Sequence, residues 1–258
     1  MTVALAHRLD GPEDAPPLVL SNSLGTTMAM WDPQLGPLSA HRRVLRYDRR
    51  GHGASPVPDG PYAIDDLGRD LLALLDALGI ERVDFCGLSL GGMVGMWLAS
   101  EAPERVDRLV LCSTSALLGP PEQWTERAAT VRDRGMDAIV EAGLERWLTA
   151  DFRAARPDVA RRMGDMLRSA PPEGYAACCE AIRDLDLRER LGAITAPTLL
   201  IAGADDPSTP PAHLERIRAG VPGARLAVLE HAAHLLNVEH PDVVTGAILA
   251  HLGVERPA

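Results

Sequence analysis

The chain has no lysine: its 26 basic side chains are all arginine, set against 36 acidic ones for a net charge of −10. Without that amine there is no Walker-type phosphate loop and no Schiff-base enzyme. The acidic balance excludes a nucleic-acid partner, because neutralising phosphate dominates that kind of affinity. Aromatic residues are scarce, at four Trp, three Tyr and two Phe in 258 residues. The longest apolar runs are short and interrupted, so neither a transmembrane helix nor a membrane partner is expected. Met1 to Gly11 carries His7, Arg8 and Asp10, too short and polar a stretch for a signal peptide, which predicts a cytoplasmic protein. The four cysteines, Cys86, Cys112, Cys178 and Cys179, lack metal-ligand spacing and read as reduced structural thiols.

What is present is a rhythm of short apolar runs separated by helical stretches. Leu18–Ser21, Val44–Tyr47, Val83–Gly87, Leu109–Cys112, Leu199–Ala202 and Leu226–Leu229 read as buried strands bounded by turn residues. Continuous rather than alternating apolar runs point to a mostly parallel sheet with helices on both faces. Between them, Ile64–Leu78 sets Leu67, Leu71, Leu74, Leu75 and Leu78 on one stripe and stops at Gly79. Leu90–Ser100 and Pro241–Leu252 read as further helices of this layer.

The rhythm breaks between Ala116 and Ala193. That stretch has no strand-like run, but helical patterns at Glu122–Arg134, Met136–Thr149, Pro157–Ser169 and Glu173–Arg183. The expected organisation is an α/β core of residues 1–115 and 194–258, with residues 116–193 inserted as a helical lid over the edge of the sheet where ligands bind.

The sharpest motif is Gly87-Leu88-Ser89-Leu90-Gly91-Gly92, which follows an apolar strand and opens a helix. That context makes G-x-S-x-G a nucleophile elbow: a turn so tight that small residues must flank the serine, whose hydroxyl is pushed out above the sheet. A serine hydroxyl needs a general base, and the base needs an orienting acid. On such a fold these follow at the ends of later strands. The run Leu199–Ala202 leads into Asp205 and Asp206, and Leu226–Leu229 leads into His231 and His234. The acid is therefore Asp205 or Asp206, and we take Asp206, which precedes Pro207 at a turn. We take His234, further into its loop than His231, as the base. No metal site is expected of His231, His234 and His240, and no cofactor is expected at all.

Acyl transfer also needs donors for the oxyanion. The N–H of Leu90, directly after the nucleophile, is one. The second is expected from the loop Ser21-Asn22-Ser23-Leu24-Gly25-Thr26-Thr27, and we assign it to Leu24. The side chains of Asn22 and Ser23 then shape the loop, with Ser23 also among the substrate-facing residues. The segment Asp48-Arg49-Arg50-Gly51-His52-Gly53 is read as a structural turn, not as a second catalytic histidine.

Together these segments resemble the α/β-hydrolase superfamily over essentially the whole chain. Within it the sequence is most similar to 3-oxoadipate enol-lactonases of aromatic catabolism. The narrower resemblance rests on Ser21–Thr27 through Trp31, on Cys86–Met93, on Trp124 to Arg127 and on Arg146-Trp147-Leu148-Thr149; His231 departs from it, since many relatives have Gly there. The resemblance implies an α/β-hydrolase fold and a triad of Ser89, Asp206 and His234. It implies a small anionic lactone as substrate, opened by Ser89 to an acyl-enzyme that water then hydrolyses, with direct attack by water as the other route. An anionic substrate in a protein of net charge −10 requires local cations, and arginine pairs with carboxylates in a bidentate way. Arg127 lies one helical turn from Trp124, so Arg127 is expected to clamp the carboxylate with Trp124 and Trp147 as pocket walls. The competing expectation is a serine esterase or lactonase of other specificity.

Overall fold

All six apolar runs become strands of one sheet in the computed structural model, which describes residues 1–254. In chain order the strands are β1 (His7–Asp10), β2 (Pro17–Ser21), β3 (Arg43–Tyr47), β4 (Val83–Leu88), β5 (Val106–Cys112), β6 (Thr198–Gly203) and β7 (Arg225–Leu229). They lie in the order β1-β3-β2-β4-β5-β6-β7. Only β1 runs antiparallel to its neighbour; every other pairing is parallel. The extra strand, β1, carries no apolar run because it is a half-exposed edge, registered as His7↔Tyr47 to Asp10↔Val44.

Before the long helical stretch that follows β5, the helices are α1 (Asp32–Ser39), α2 (Ile64–Ala77) and α3 (Leu90–Glu101). In α2, Leu67, Leu71, Leu74 and Leu75 are buried as the stripe requires. Gly79 ends it at φ 65°, and the Ile80 N–H reaches back to the Leu75 carbonyl at 2.9 Å. Helix α3 is apolar all round and buried from Leu90 to Ala99, as befits the central helix of a large core.

Between β5 and β6 lie α4 (Pro121–Arg134), α5 (Asp137–Trp147), α6 (Ala150–Ala155), α7 (Pro157–Arg168) and α8 (Pro172–Arg183), with no strand among them. Helix α4 packs chiefly on α8, and α5 on α7. Proline opens α4, α7 and α8, where its missing N–H costs nothing. The pattern expected to run through Thr149 instead breaks there: Thr149 is extended, and its hydroxyl accepts from the Phe152 N–H at 3.3 Å to start α6. The chain closes with α9 (Pro211–Gly220), α10 (Leu236–Glu239) and α11 (Pro241–His251). Strand β5 is touched by both α3 and α11, and all six residues of β4 are buried, so the sheet is covered on both faces. No helix among the described residues is long and apolar enough to cross a membrane.

Candidate active site

Ser89 stands between β4 and α3 with φ 57° and ψ −118°, a conformation that side chains rarely adopt and that costs about 1–3 kcal/mol. Three hydrogen bonds hold it there. Its N–H donates to the Cys112 carbonyl at 2.9 Å, and its own carbonyl accepts from the Met93 N–H at 3.0 Å and the Thr114 hydroxyl at 2.7 Å. The flanking glycines are dictated by contact. A β-carbon on Gly87 would lie 2.3 Å from the Gly91 carbonyl oxygen, and one on Gly91 would lie 2.1 Å from that of Ser21.

Asp206 follows β6 and is 2 % exposed. One carboxylate oxygen accepts from the backbone N–H groups of Ser208 (2.8 Å) and Thr209 (3.1 Å). The other accepts from the Thr209 hydroxyl at 2.7 Å and from Nδ1 of His234 at 2.8 Å. Burial alone would raise this carboxyl; the His234 charge and the hydrogen bonds from His234 and Thr209 outweigh it and bring it to about 2. An ionised Asp206 fixes the proton of His234 on Nδ1 and leaves Nε2 as the basic nitrogen. His234, after β7, lines the same cavity as Ser89. Asp205 and His231 are both exposed, and the His231 carbonyl is occupied by Nε2 of His240 at 2.8 Å. The structure thus brings Ser89, Asp206 and His234 together and leaves Asp205 and His231 outside.

The loop after β2 is braced from behind. Nδ2 of Asn22 donates to the Tyr47 carbonyl at 2.8 Å, and Arg49 donates to the carbonyls of Ser23 and Asn22. His52, read from sequence as part of a structural turn, accepts the Gly25 N–H on Nε2 at 3.0 Å. Burial, and after it the Arg49 charge, push His52 down to about 3, so it stays neutral and keeps that lone pair free to accept. The Ser23 N–H meets Sδ of Met30 at 3.2 Å and the Thr26 N–H meets the Ser23 carbonyl at 3.4 Å. Of the N–H groups from Ser23 to Thr26, Leu24 alone makes no hydrogen bond among the described residues. Ser23 and Leu24 both line the cavity with Ser89, while Leu90 supplies the first N–H of α3, a group that a helix leaves without an internal partner.

The cavity holds about 330 Å³ and is lined by Ser89 and His234 together with residues of α4, α5, α7 and α8. Trp124, Arg127 and Trp147 all face it. The Arg127 guanidinium lies 4.6 Å from the centre of the Trp124 ring, close enough for a cation–π contact, and Trp124 Nε1 donates to the Leu118 carbonyl at 3.0 Å. Sequence reasoning missed several other members. Thr209 supports Asp206 from three residues on, a spacing that an Asx-type turn offers as a signal. Arg146, Tyr175 and His213 also line the cavity. His213 has its Nδ1 2.7 Å from the Ser115 hydroxyl, and nothing in its sequence context marks it.

A sequence model described as the alpha/beta hydrolase fold matches residues 16–241. The 3-oxoadipate enol-lactonase 2 of Acinetobacter baylyi is 42 % identical over 96 % of this chain and 92 % of its own length. The crystal structure of the enol-lactonase from Burkholderia xenovorans LB400 superposes with a TM-score of 0.95 at 44 % identity, covering 97 % of each chain. A relative from Stutzerimonas stutzeri, whose name proposes a carbamate hydrolase, RutD, is 36 % identical over 93 % of this chain and 92 % of its own length.

Proposed function

This chain belongs to the alpha/beta hydrolase fold family and is an ester-hydrolysing enzyme, and we propose that the ester it opens is the lactone ring of 3-oxoadipate enol-lactone. Ser89 attacks the ring carbonyl while Nε2 of His234 takes its proton, and Asp206 stabilises the imidazolium that forms. The N–H groups of Leu24 and Leu90 hold the oxyanion. Collapse of the tetrahedral intermediate breaks the ring C–O bond and leaves an enolate on the chain still esterified to Ser89; the proton held by His234 passes to the enolate carbon, which gives the ketone of the 3-oxoadipyl ester and returns His234 to its neutral form. An enolate leaves more readily than an alkoxide, so this step asks less acid help from His234. Water, deprotonated by His234, then hydrolyses the acyl-Ser89 ester and returns the proton to the serine.

The observation that carries this reading is Arg127, a cation without a carboxylate partner among the described residues, lining the cavity that holds Ser89 in a chain of net charge −10. An anionic substrate end answers it, with Trp124 and Trp147 as walls, Ser23 beside the nucleophile and residues 116–193 acting as a lid. The same reading assigns the enzyme to cytoplasmic breakdown of aromatic compounds by the protocatechuate branch.

The likeness to a relative named for carbamate hydrolysis supports a second reading, a serine hydrolase of other specificity acting with the same three residues. Steady-state turnover of the enol-lactone, simple aryl esters and small carbamates separates the two. The lactone should be preferred by orders of magnitude in kcat/KM; preference for either of the others overturns the lactonase reading.

A further inference from the structure

Five arginines in the insertion are half-buried: Arg127, Arg146, Arg153, Arg183 and Arg190. Three of them meet a carboxylate, Arg153 at Glu141 (3.7 Å), Arg183 at Asp184 (2.7 Å) and Arg190 at Glu101 (2.7 Å). Arg127 and Arg146 meet none among the described residues, and these are the two that line the cavity above Ser89. They face each other across the seam between α4 and α5, the less closely packed side of α4. Both also line a hollow of about 270 Å³ on the outer side of that seam. Burial, and after it the Arg127 charge, lower the Arg146 guanidinium below its ordinary value. The other groups acting on the pair are Tyr175, a neutral phenol in contact with Arg127, and Glu145, next to Arg146 in the chain, whose charge acts on Arg146 more weakly than burial and Arg127 and makes no ion pair with it. Two like charges held together and partly desolvated, with no ion pair to either among the described residues, repel each other unless something anionic completes the group.

We propose that Arg146 is a specificity-determining residue which, with Arg127, receives the carboxylate of the substrate, so that the enzyme selects acyl groups ending in a negative charge over neutral ones of the same length. This rests on ester hydrolysis at Ser89 and deepens it by assigning the anion end to two guanidiniums rather than one. A carboxylate has two oxygens, and a pair of planar guanidiniums on adjacent helices can meet both.

The test uses the intact enzyme and two aryl esters that differ at one end, p-nitrophenyl pentanoate and mono-p-nitrophenyl glutarate. The wild type should favour the glutarate, and Arg146→Gln should lower the glutarate-to-pentanoate ratio of kcat/KM by on the order of 10- to 100-fold, the range of a charge-assisted hydrogen bond. Arg146→Lys, which keeps the charge and loses the planar fork, should fall between them. If Arg146→Gln does not fold, raising the salt concentration on the wild type serves instead: the glutarate rate should drop and the pentanoate rate should hold. An unchanged ratio in Arg146→Gln, or equal salt dependence for the two esters, overturns the proposal. Turnover of the enol-lactone by the wild type alongside an unchanged ratio sinks the role of Arg146 alone. Preference for the glutarate without enol-lactone turnover sinks the lactonase reading alone.

Discussion

Thr149 is bound twice to one oxygen of Glu239, through its backbone N–H at 2.7 Å and its hydroxyl at 2.8 Å. The other oxygen of Glu239 accepts the Ala233 N–H, and the Leu235 N–H donates to the Trp147 carbonyl at 2.9 Å. His234 is therefore held on both sides by bonds that run to the end of α5, where Trp147 walls the cavity. The pocket wall and the histidine form one joint across the boundary between core and insertion.

Glu239→Gln tests that joint. An amide cannot accept on both ends, so one buried donor loses its partner at a cost of about 1–3 kcal/mol. Denaturant unfolding should show that loss, and kcat should fall roughly tenfold as His234 loses its fixed position, since small displacements of this kind carry large rate penalties. A destabilised variant with wild-type kcat would show that Glu239 supports the fold without positioning His234.

Substitutions at the three clustered residues should differ in depth. Ser89→Ala and His234→Ala should each lower kcat by roughly four to six orders of magnitude, and Asp206→Asn by roughly four. Thr209→Val removes one of the two donors on the Asp206 oxygen that faces His234 and should cost about tenfold at most. His231→Ala should remain close to wild type, because the side chain is exposed and is not among the residues that line the cavity. Retained activity in His234→Ala with loss in His231→Ala would reverse the choice of base.

Much of this is legible in the amino-acid sequence, for identifiable physical reasons. Parallel strands buried on both faces leave continuous apolar runs, which is why β2 to β6 could be read and the half-exposed His7-Arg8-Leu9-Asp10 edge could not; β7, the opposite edge, is also half-exposed and was legible only because Leu226–Leu229 is apolar throughout. Gly87 and Gly91 announce the turn at Ser89 because backbone oxygens fill the space where their β-carbons would be. The choice between Asp205 and Asp206 was less visible, since neighbouring residues in a turn differ in burial only once β6 and β7 are registered. Arg146 was hidden for a related reason. An arginine on an amphipathic helix looks like a solvated face until α4 and α5 are placed over the sheet.

Gly91→Ala should act on two loops at once. Its β-carbon would strike the carbonyls of both Ser21 (2.1 Å) and Asn22 (2.7 Å), so the strand end that leads to Leu24 must move away from Ser89. The overpacking should cost about 1–3 kcal/mol by denaturant unfolding. A displaced oxyanion donor should lower kcat by on the order of 100-fold or more while KM changes little. Stability loss with unchanged kcat would show that Leu24 N–H is not among the donors.

His52 links stability to pH through the same loop. Its ordinary value of 6.5 is lowered to about 3 in the folded chain, where Nε2 must stay unprotonated to accept from Gly25. Above 6.5 both folded and unfolded forms are neutral and the residue adds no pH dependence. As the pH falls from 6.5 toward 3, the unfolded chain takes up a proton that the folded chain excludes, so stability declines with acid. The decline from this residue is about 1 kcal/mol per pH unit. His52→Gln keeps an acceptor for the Gly25 N–H and cannot titrate. Its unfolding free energy should therefore drop less than the wild type's between about pH 7 and about pH 5. His52→Ala, which leaves Gly25 without that partner, should lose kcat at neutral pH as the loop carrying Leu24 loosens. Equal pH slopes for wild type and His52→Gln would mean that His52 is not the group whose protonation the fold resists.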